Sequence, residues 1–244
     1  MMLFLSMYPA WHLNTQWHVQ GRLDYLKAYF AGYIQREKKM GGKNVSKWSE
    51  IGQYVTKKIQ CIQETEDYAA LAKLRRGMGH QPGEVPELYG ILLENMPEVF
   101  WNNQGEVTEE EWSCYVALTL FAWHQQGNDL IKECVHTEQK YESIGKTMKK
   151  LSYALNREDK DPDAEKRMQR KLQMLMTSKD MPELFYHLKS MVTLIRKEKI
   201  AINYSELAQD IYLFQFQDTR PQVSLKWAQD FYRINKEEED NEDK

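Results

Sequence analysis

Cross-links, apolar runs and catalytic signatures are what this 244-residue sequence has least of. Its three cysteines, Cys61, Cys114 and Cys134, are odd in number and not closely paired, which excludes a disulfide framework and points to a reducing compartment. The apolar opening Met1-Met2-Leu3-Phe4-Leu5 has no basic flank, is broken by Pro9 and is far too short to cross a bilayer. A cytoplasmic protein without membrane contact is the expectation. No stretch alternates apolar and polar residues as a strand would, and no internal repeat is visible. Basic residues are missing altogether between Arg76 and Lys132, where nine acids fall.

Familiar catalytic and cofactor motifs fail one by one. Gly145-Lys146-Thr147 matches the end of a phosphate-binding loop, but Lys140 stands where its first glycine belongs and no strand precedes it. Gly77-Met78-Gly79 lacks the third glycine of a dinucleotide fingerprint and closes a helix where that motif would open one. Cys134-Val135-His136, or His12 with His18, is half a metal site without a second pair at ligand spacing. Acids are plentiful, yet no two are arranged as a general acid/base pair. Neither an enzyme nor a metal, cofactor or small-molecule substrate is expected.

What remains is a chain able to bury a real core, 42% hydrophobic and 12% aromatic. Its net charge of −3 conceals a partition. Gly21 to Gln60 carries nine basic residues against three acids, and Lys132 to Lys236 twenty against fifteen. The last eight residues, Glu237 to Lys244, form an acidic tail of charge −5 that is expected to be disordered. A basic face can therefore coexist with an acidic one, and the local field is what attracts a polyanion.

The periodicity predicts an all-α fold of two small helical bundles packed together. Residues 1–45 are an extension with one helix, Leu23 to Lys39, stopped by Gly41-Gly42. An N-terminal lobe at 46–130 holds helices from Trp48 to Gln63 and Asp67 to Arg76, with short pieces at Glu87 to Leu93 and Pro97 to Trp101. Thr108-Glu109-Glu110-Glu111 is a capping box opening a helix to Gln125 that is apolar nearly all round, hence central and buried. A C-terminal bundle at 131–236 follows. Its helices run from about Lys140 to Asn156, from Asp161-Pro162 to Ser178 with Pro162 at the first position, and from Asp180 to Lys197. Two more run from Asn203 to Phe216 and from a Thr219 cap to Ile234.

Three basic groupings stand out as places to grip phosphate. Lys73, Arg75 and Arg76 end a helix that Gly77 and Gly79 can stop in the left-handed conformation, and Pro82 and Pro86 forbid continuation. Cations suit that negative helix end in any case, so capping explains part of the pattern. Lys146, Lys149, Lys150 and Arg157 lie opposite or beside the apolar arc Ile144, Met148, Leu151 and Leu155. Arg167, Arg170 and Lys171 repeat the stripe on the next helix. Either stripe is also what an ordinary solvated face looks like. Arg220, Lys226 and Arg233 accompany Trp227, Phe231 and Tyr232, aromatics better read as core than as base-stacking platforms. The run Arg36, Lys38, Lys39, Lys43 and Lys47 is the most basic, and reads equally as a linker.

Ala70-Leu71-Ala72-Lys73-Leu74-Arg75-Arg76-Gly77, Leu118 to Gln126, Ile144-Gly145-Lys146-Thr147-Met148 and Lys226-Trp227-Ala228-Gln229-Asp230-Phe231-Tyr232 occur in an order that resembles the CasB family. That family is the small subunit of the type I-E CRISPR Cascade surveillance complex. The resemblance spans roughly Ile51 to Arg233. It implies a two-lobed helical subunit, two copies of which pack head-to-tail beside the guide RNA and the other Cascade subunits. It also implies a role in holding the displaced single strand of target DNA, since base pairing reads the sequence and protein charge steadies the rest. Lys73, Arg75, Arg76, Lys146, Lys149, Lys150, Arg167, Arg170, Arg220 and Lys226 become the expected nucleic-acid contacts. The other reading is an all-helical interaction module whose basic stripes meet acidic protein partners.

Overall fold

Helices form in this chain where an apolar stripe follows a residue able to cap it. The computed structural model describes residues 43–157 and 161–233. The expected helix Leu23 to Lys39, the Gly41-Gly42 stop, the cations Arg36 to Lys39 and the acidic tail lie outside them. The chain divides into two compact units, Met1–Ser46 and Lys47–Lys244, and the side-chain contacts described below lie within the second.

Regular structure among the described residues is helical: α1 (Lys43–Glu64), α2 (Tyr68–Arg76), the short α3 (Tyr89–Leu92), α4 (Glu109–His124), α5 (Ile144–Leu155), α6 (Ala164–Met176), α7 (Met181–Lys197), α8 (Tyr204–Phe214) and α9 (Arg220–Tyr232). Two single 3₁₀ turns, Pro86–Leu88 and Glu98–Phe100, join them. One isolated parallel bridge, His136 to Ile202, is the sole β pairing there. The all-α expectation is met.

Caps fix most boundaries. Thr108 closes both arms of its capping box, accepting from the Glu111 amide while Glu111 accepts from the Thr108 amide at 2.9 Å. Asp67, Asp180 and Asn203 each accept from an amide three residues on, at 2.8 to 3.0 Å. Elsewhere the expected starts shift. Ser143 caps α5, so that helix opens at Ile144 and not Lys140; Tyr141 before it has φ 65°. Asp163 precedes α6, which leaves Pro162 outside the helix. Thr219 turns its hydroxyl to the Leu213 carbonyl and does not cap α9. Gly77 has φ −70°, an ordinary helical value, while Gly79 supplies the left-handed turn at φ 91°.

Helix α4 is the axis of the second unit. It is buried from Ser113 to Ala122 and packs on α2, α7 and α8. Its near-absence of a polar face forces this placement, since an apolar surface all round needs neighbours all round. Helices α5, α6 and α9 pack on one another, with the Trp227 and Phe214 rings stacked 5.6 Å apart. Gly145 stands where α5 crosses α9: a methyl group there would overlap the Trp227 carbonyl oxygen. That close approach is why glycine stands in Gly145-Lys146-Thr147. Gly145→Ala should destabilise by about 1–3 kcal/mol through overpacking, despite alanine's better helix propensity. A thermal melt checks it; an unchanged or higher Tm would refute the account.

Candidate nucleic-acid interface

A cation can grip phosphate only if its charge is not already neutralised at close range. On that criterion the expected contacts separate. Lys226 donates to both Asp210 oxygens at 2.8 and 3.0 Å and pairs with Glu206 at 2.8 Å. Trp227 Nε1 donates to the same Asp210 carboxylate at 2.7 Å. Burial would lower the Lys226 pKa, but Asp210 and Glu206 outweigh it and raise it. Lys226 is thus the centre of an internal ion cluster. Arg220 donates from Nε to the Phe214 carbonyl at 2.8 Å and lies over the Phe214 ring, tying α9 to the end of α8.

The α5 stripe is also engaged. Lys146 and Lys150 converge on Glu142, at 2.6 and 2.8 Å, and that carboxylate is 5% exposed. Burial alone would raise Glu142, but hydrogen bonds from Lys146 and Lys150 hold it below the usual carboxylate range. Lys149 pairs with Glu165 at 2.8 Å and sits over the Tyr153 and Phe231 rings. On α6, Arg167 forms a two-point bond with Asp161, while Arg170 is exposed with no ion pair among the described residues. Arg76 is exposed and paired with Glu87.

Arg75 differs. It forms no ion pair with any described residue, and its pKa is lowered first by burial and then by the guanidinium of Arg196. Arg196 lies on α7 two turns beyond Lys189, about 10 Å along the axis and on the same face. Both approach the ring of Trp123 near the end of α4, Arg196 at 5.5 Å and Lys189 at 5.8 Å. Trp123 is held by an Nε1–H bond to Thr193 Oγ1 at 3.2 Å, from the residue between them on that face. A methyl group at Gly79 would lie 3.8 Å from Lys189 Nζ, which puts this lysine beside the turn that follows α2. Arg196 donates to the Gln126 amide oxygen at 3.1 Å.

The end of α4 and the outer face of α7 therefore bring Lys189 and Arg196 together over one indole, with Arg75 at the end of α2 within electrostatic reach of Arg196. No acid among the described residues pairs with any of the three, and Lys73 is exposed on the helix that carries Arg75. Like charges held together without counterions are unfavourable in isolation and become favourable when a polyanion arrives. Lys189, Arg196 and Trp123 are not in the sequence-derived set. The i, i+4, i+7 spacing of Lys189, Thr193 and Arg196 was a usable signal, but only packing reveals that this face covers Trp123.

Elsewhere His124 and His136 make internal bonds, whereas His80 is exposed beside Glu84. His124 is fully buried, bonds to the Tyr204 hydroxyl at 2.9 Å and is held neutral by burial and by Arg196, with its pKa lowered to about 3. His136 Nδ1 accepts from the Tyr204 amide. Among the described residues no three of His, Cys, Asp and Glu converge as metal ligands, and no helix is long and apolar enough to cross a membrane.

The family model for the CRISPR-associated protein Cse2 matches residues 70–232. Among solved structures, CasB from Thermobifida fusca is similar at a TM-score of 0.58 and 23% identity, over 75% of this chain and 98% of that one. CasB from Thermus thermophilus is similar at 0.53 and 17%, over 74% and 97%. CasB from M. ruber is similar at 0.50 and 24%, over 71% and 89%. No match was found among curated proteins.

Proposed function

The chain belongs to the CRISPR-associated Cse2 family, and on that premise we propose that it is a non-catalytic small subunit of an RNA-guided DNA-targeting complex, binding the backbone of the displaced single strand. Its partners on this reading are the other subunits of the Cascade complex, the guide RNA and a second copy of itself. The observation that carries the proposal is the pairing of Lys189 and Arg196 over Trp123, with Arg75 close enough for the Arg196 charge to act on it and no acidic partner for any of the three among the described residues. Sequence-tolerant strand binding needs that combination of mobile phosphate-seeking cations and an aromatic surface. Lys73 and Arg170 extend the track, while Arg76 is paired with Glu87. Lys226, Arg220, Lys149 and the Glu142-bound pair Lys146 and Lys150 act mainly as internal ties, and Arg167 is held by Asp161.

The test is the accessibility of the displaced strand. In complexes assembled with an Arg196→Glu chain, assembly should be retained while the non-target strand becomes several-fold more reactive to a single-strand-specific chemical probe. Protection identical to that given by the unaltered chain would overturn the proposal.

A further inference from the structure

On the acidic stretch, the segment from Pro82 to Val107 and the start of α4 enclose an open cleft of about 220 Å³. Val85, Leu88, Tyr89, Leu93, Met96 and Val107 line it, and the carboxylate-bearing Glu106 and Glu111 complete the wall. Its apolar lip is not covered: Tyr89 is 43% exposed, Leu93 38% and Val107 40%. Val99 and Trp101 on the same segment are exposed as well. Uncovered apolar surface of this kind, continuous with a cleft, marks a site where another molecule is bound.

Charge decides what kind of molecule. Residues 77–131 contain no lysine or arginine, so apart from Glu84, which meets His80, the acids of this stretch that form ion pairs find them outside it, as Glu87 does in Arg76 and Glu110 in Lys47. Glu111 is held by the α4 capping box, and Glu106 is 3.5 Å from the Asn102 amide. Glu94 and Glu98 stand exposed on the same segment, and Glu98 has no ion pair among the described residues. A nucleic-acid backbone is repelled here. An apolar anchor flanked by positive charge satisfies both features at once.

We infer that this cleft docks a neighbouring protein chain through a segment that presents one or two apolar side chains flanked by lysine or arginine. The cavity holds a leucine- or phenylalanine-sized anchor and little more, and the rim acids select the flanks. This surface is distinct from the Trp123 cluster and does not depend on strand binding.

The inference is tested with the full chain carrying the photo-crosslinking residue p-benzoylphenylalanine at Leu93, reconstituted with the CRISPR-associated proteins of its own complex. A crosslink to a lysine- or arginine-rich segment of another protein subunit is expected. Glu98→Lys with Glu106→Lys should weaken that subunit's association about tenfold and flatten its salt dependence. Val107→Asp, on the lip, should do the same without lowering the Tm. A crosslink to nucleic acid or to a second copy of the chain overturns the inference. So does a yield no greater than from the same label at Tyr186, an exposed position on α7. Single-strand binding should be unchanged by all of these substitutions, so failure here and failure of the strand-binding reading are separable.

Discussion

Replacing Arg75, Lys189 and Arg196 together by glutamate should lower the affinity of the isolated chain for a single-stranded oligonucleotide about 1,000-fold at low salt. Charge-assisted hydrogen bonds contribute about 1.5 kcal/mol each at the low end, and three of them correspond to about three powers of ten. The log-log salt slope should fall by about 2, since each lost phosphate contact removes about 0.7 for a single strand. Folding should survive, because none of the three forms an ion pair with a described residue. Lys146→Gln and Arg167→Gln provide the contrast: their charges already face Glu142 and Asp161, so affinity should stay within about threefold. Affinity retained in the triple variant, or lost equally in the contrast variants, would remove the strand track from the Trp123 cluster.

The difference between those two sets shows what the sequence could and could not disclose. Helix identity was legible because caps and apolar stripes are local: Thr108, Asp180 and Asn203 cap as their spacing predicts. The burial of α4 was legible for the same reason, as was the core placement of Trp227 and Phe231. Tyr232, by contrast, is 60% exposed, as its place beside the apolar arc of α9 permits. The availability of a cation is not local. Lys146 and Lys150 share a carboxylate that enters from the turn before α5, and Lys226 meets Asp210 and Glu206 from α8. A helical wheel places such lysines on a polar face without showing that the face is already occupied. The converse holds for Lys189 and Arg196, which read as surface cations on α7 until α4 brings Trp123 against them and α2 brings Arg75 within reach of the Arg196 charge.

The buried ion cluster makes the second large prediction. Asp210→Ala removes the acceptor of two hydrogen bonds from Lys226 and one from Trp227 Nε1, leaving both donors under-satisfied in the core. Breaking a buried pair from one side costs about 3–5 kcal/mol, more than the pair contributes relative to an apolar replacement. For a unit of this size that is a Tm lower by about 10 °C. Asp210→Asn, which keeps an acceptor, should cost less and should also change the pH profile. Burial pushes the Asp210 carboxyl up to about 6, against the pull of Lys226, so the folded state binds its proton more tightly than the unfolded chain does. Stability from this group is therefore greatest below the ordinary carboxylate range and declines as pH rises from about 4 to about 6. Glu142, held low by two lysines, works in the opposite sense: its contribution is present above the ordinary range and is lost on acidification. Denaturant melts of the native chain and of Asp210→Asn between pH 4 and 7 separate the two, because only the Asp210 slope disappears in the variant. An identical pH dependence in both proteins would mean that the Asp210 carboxylate is not desolvated in the folded state, and that Lys226 is free to reach a strand after all.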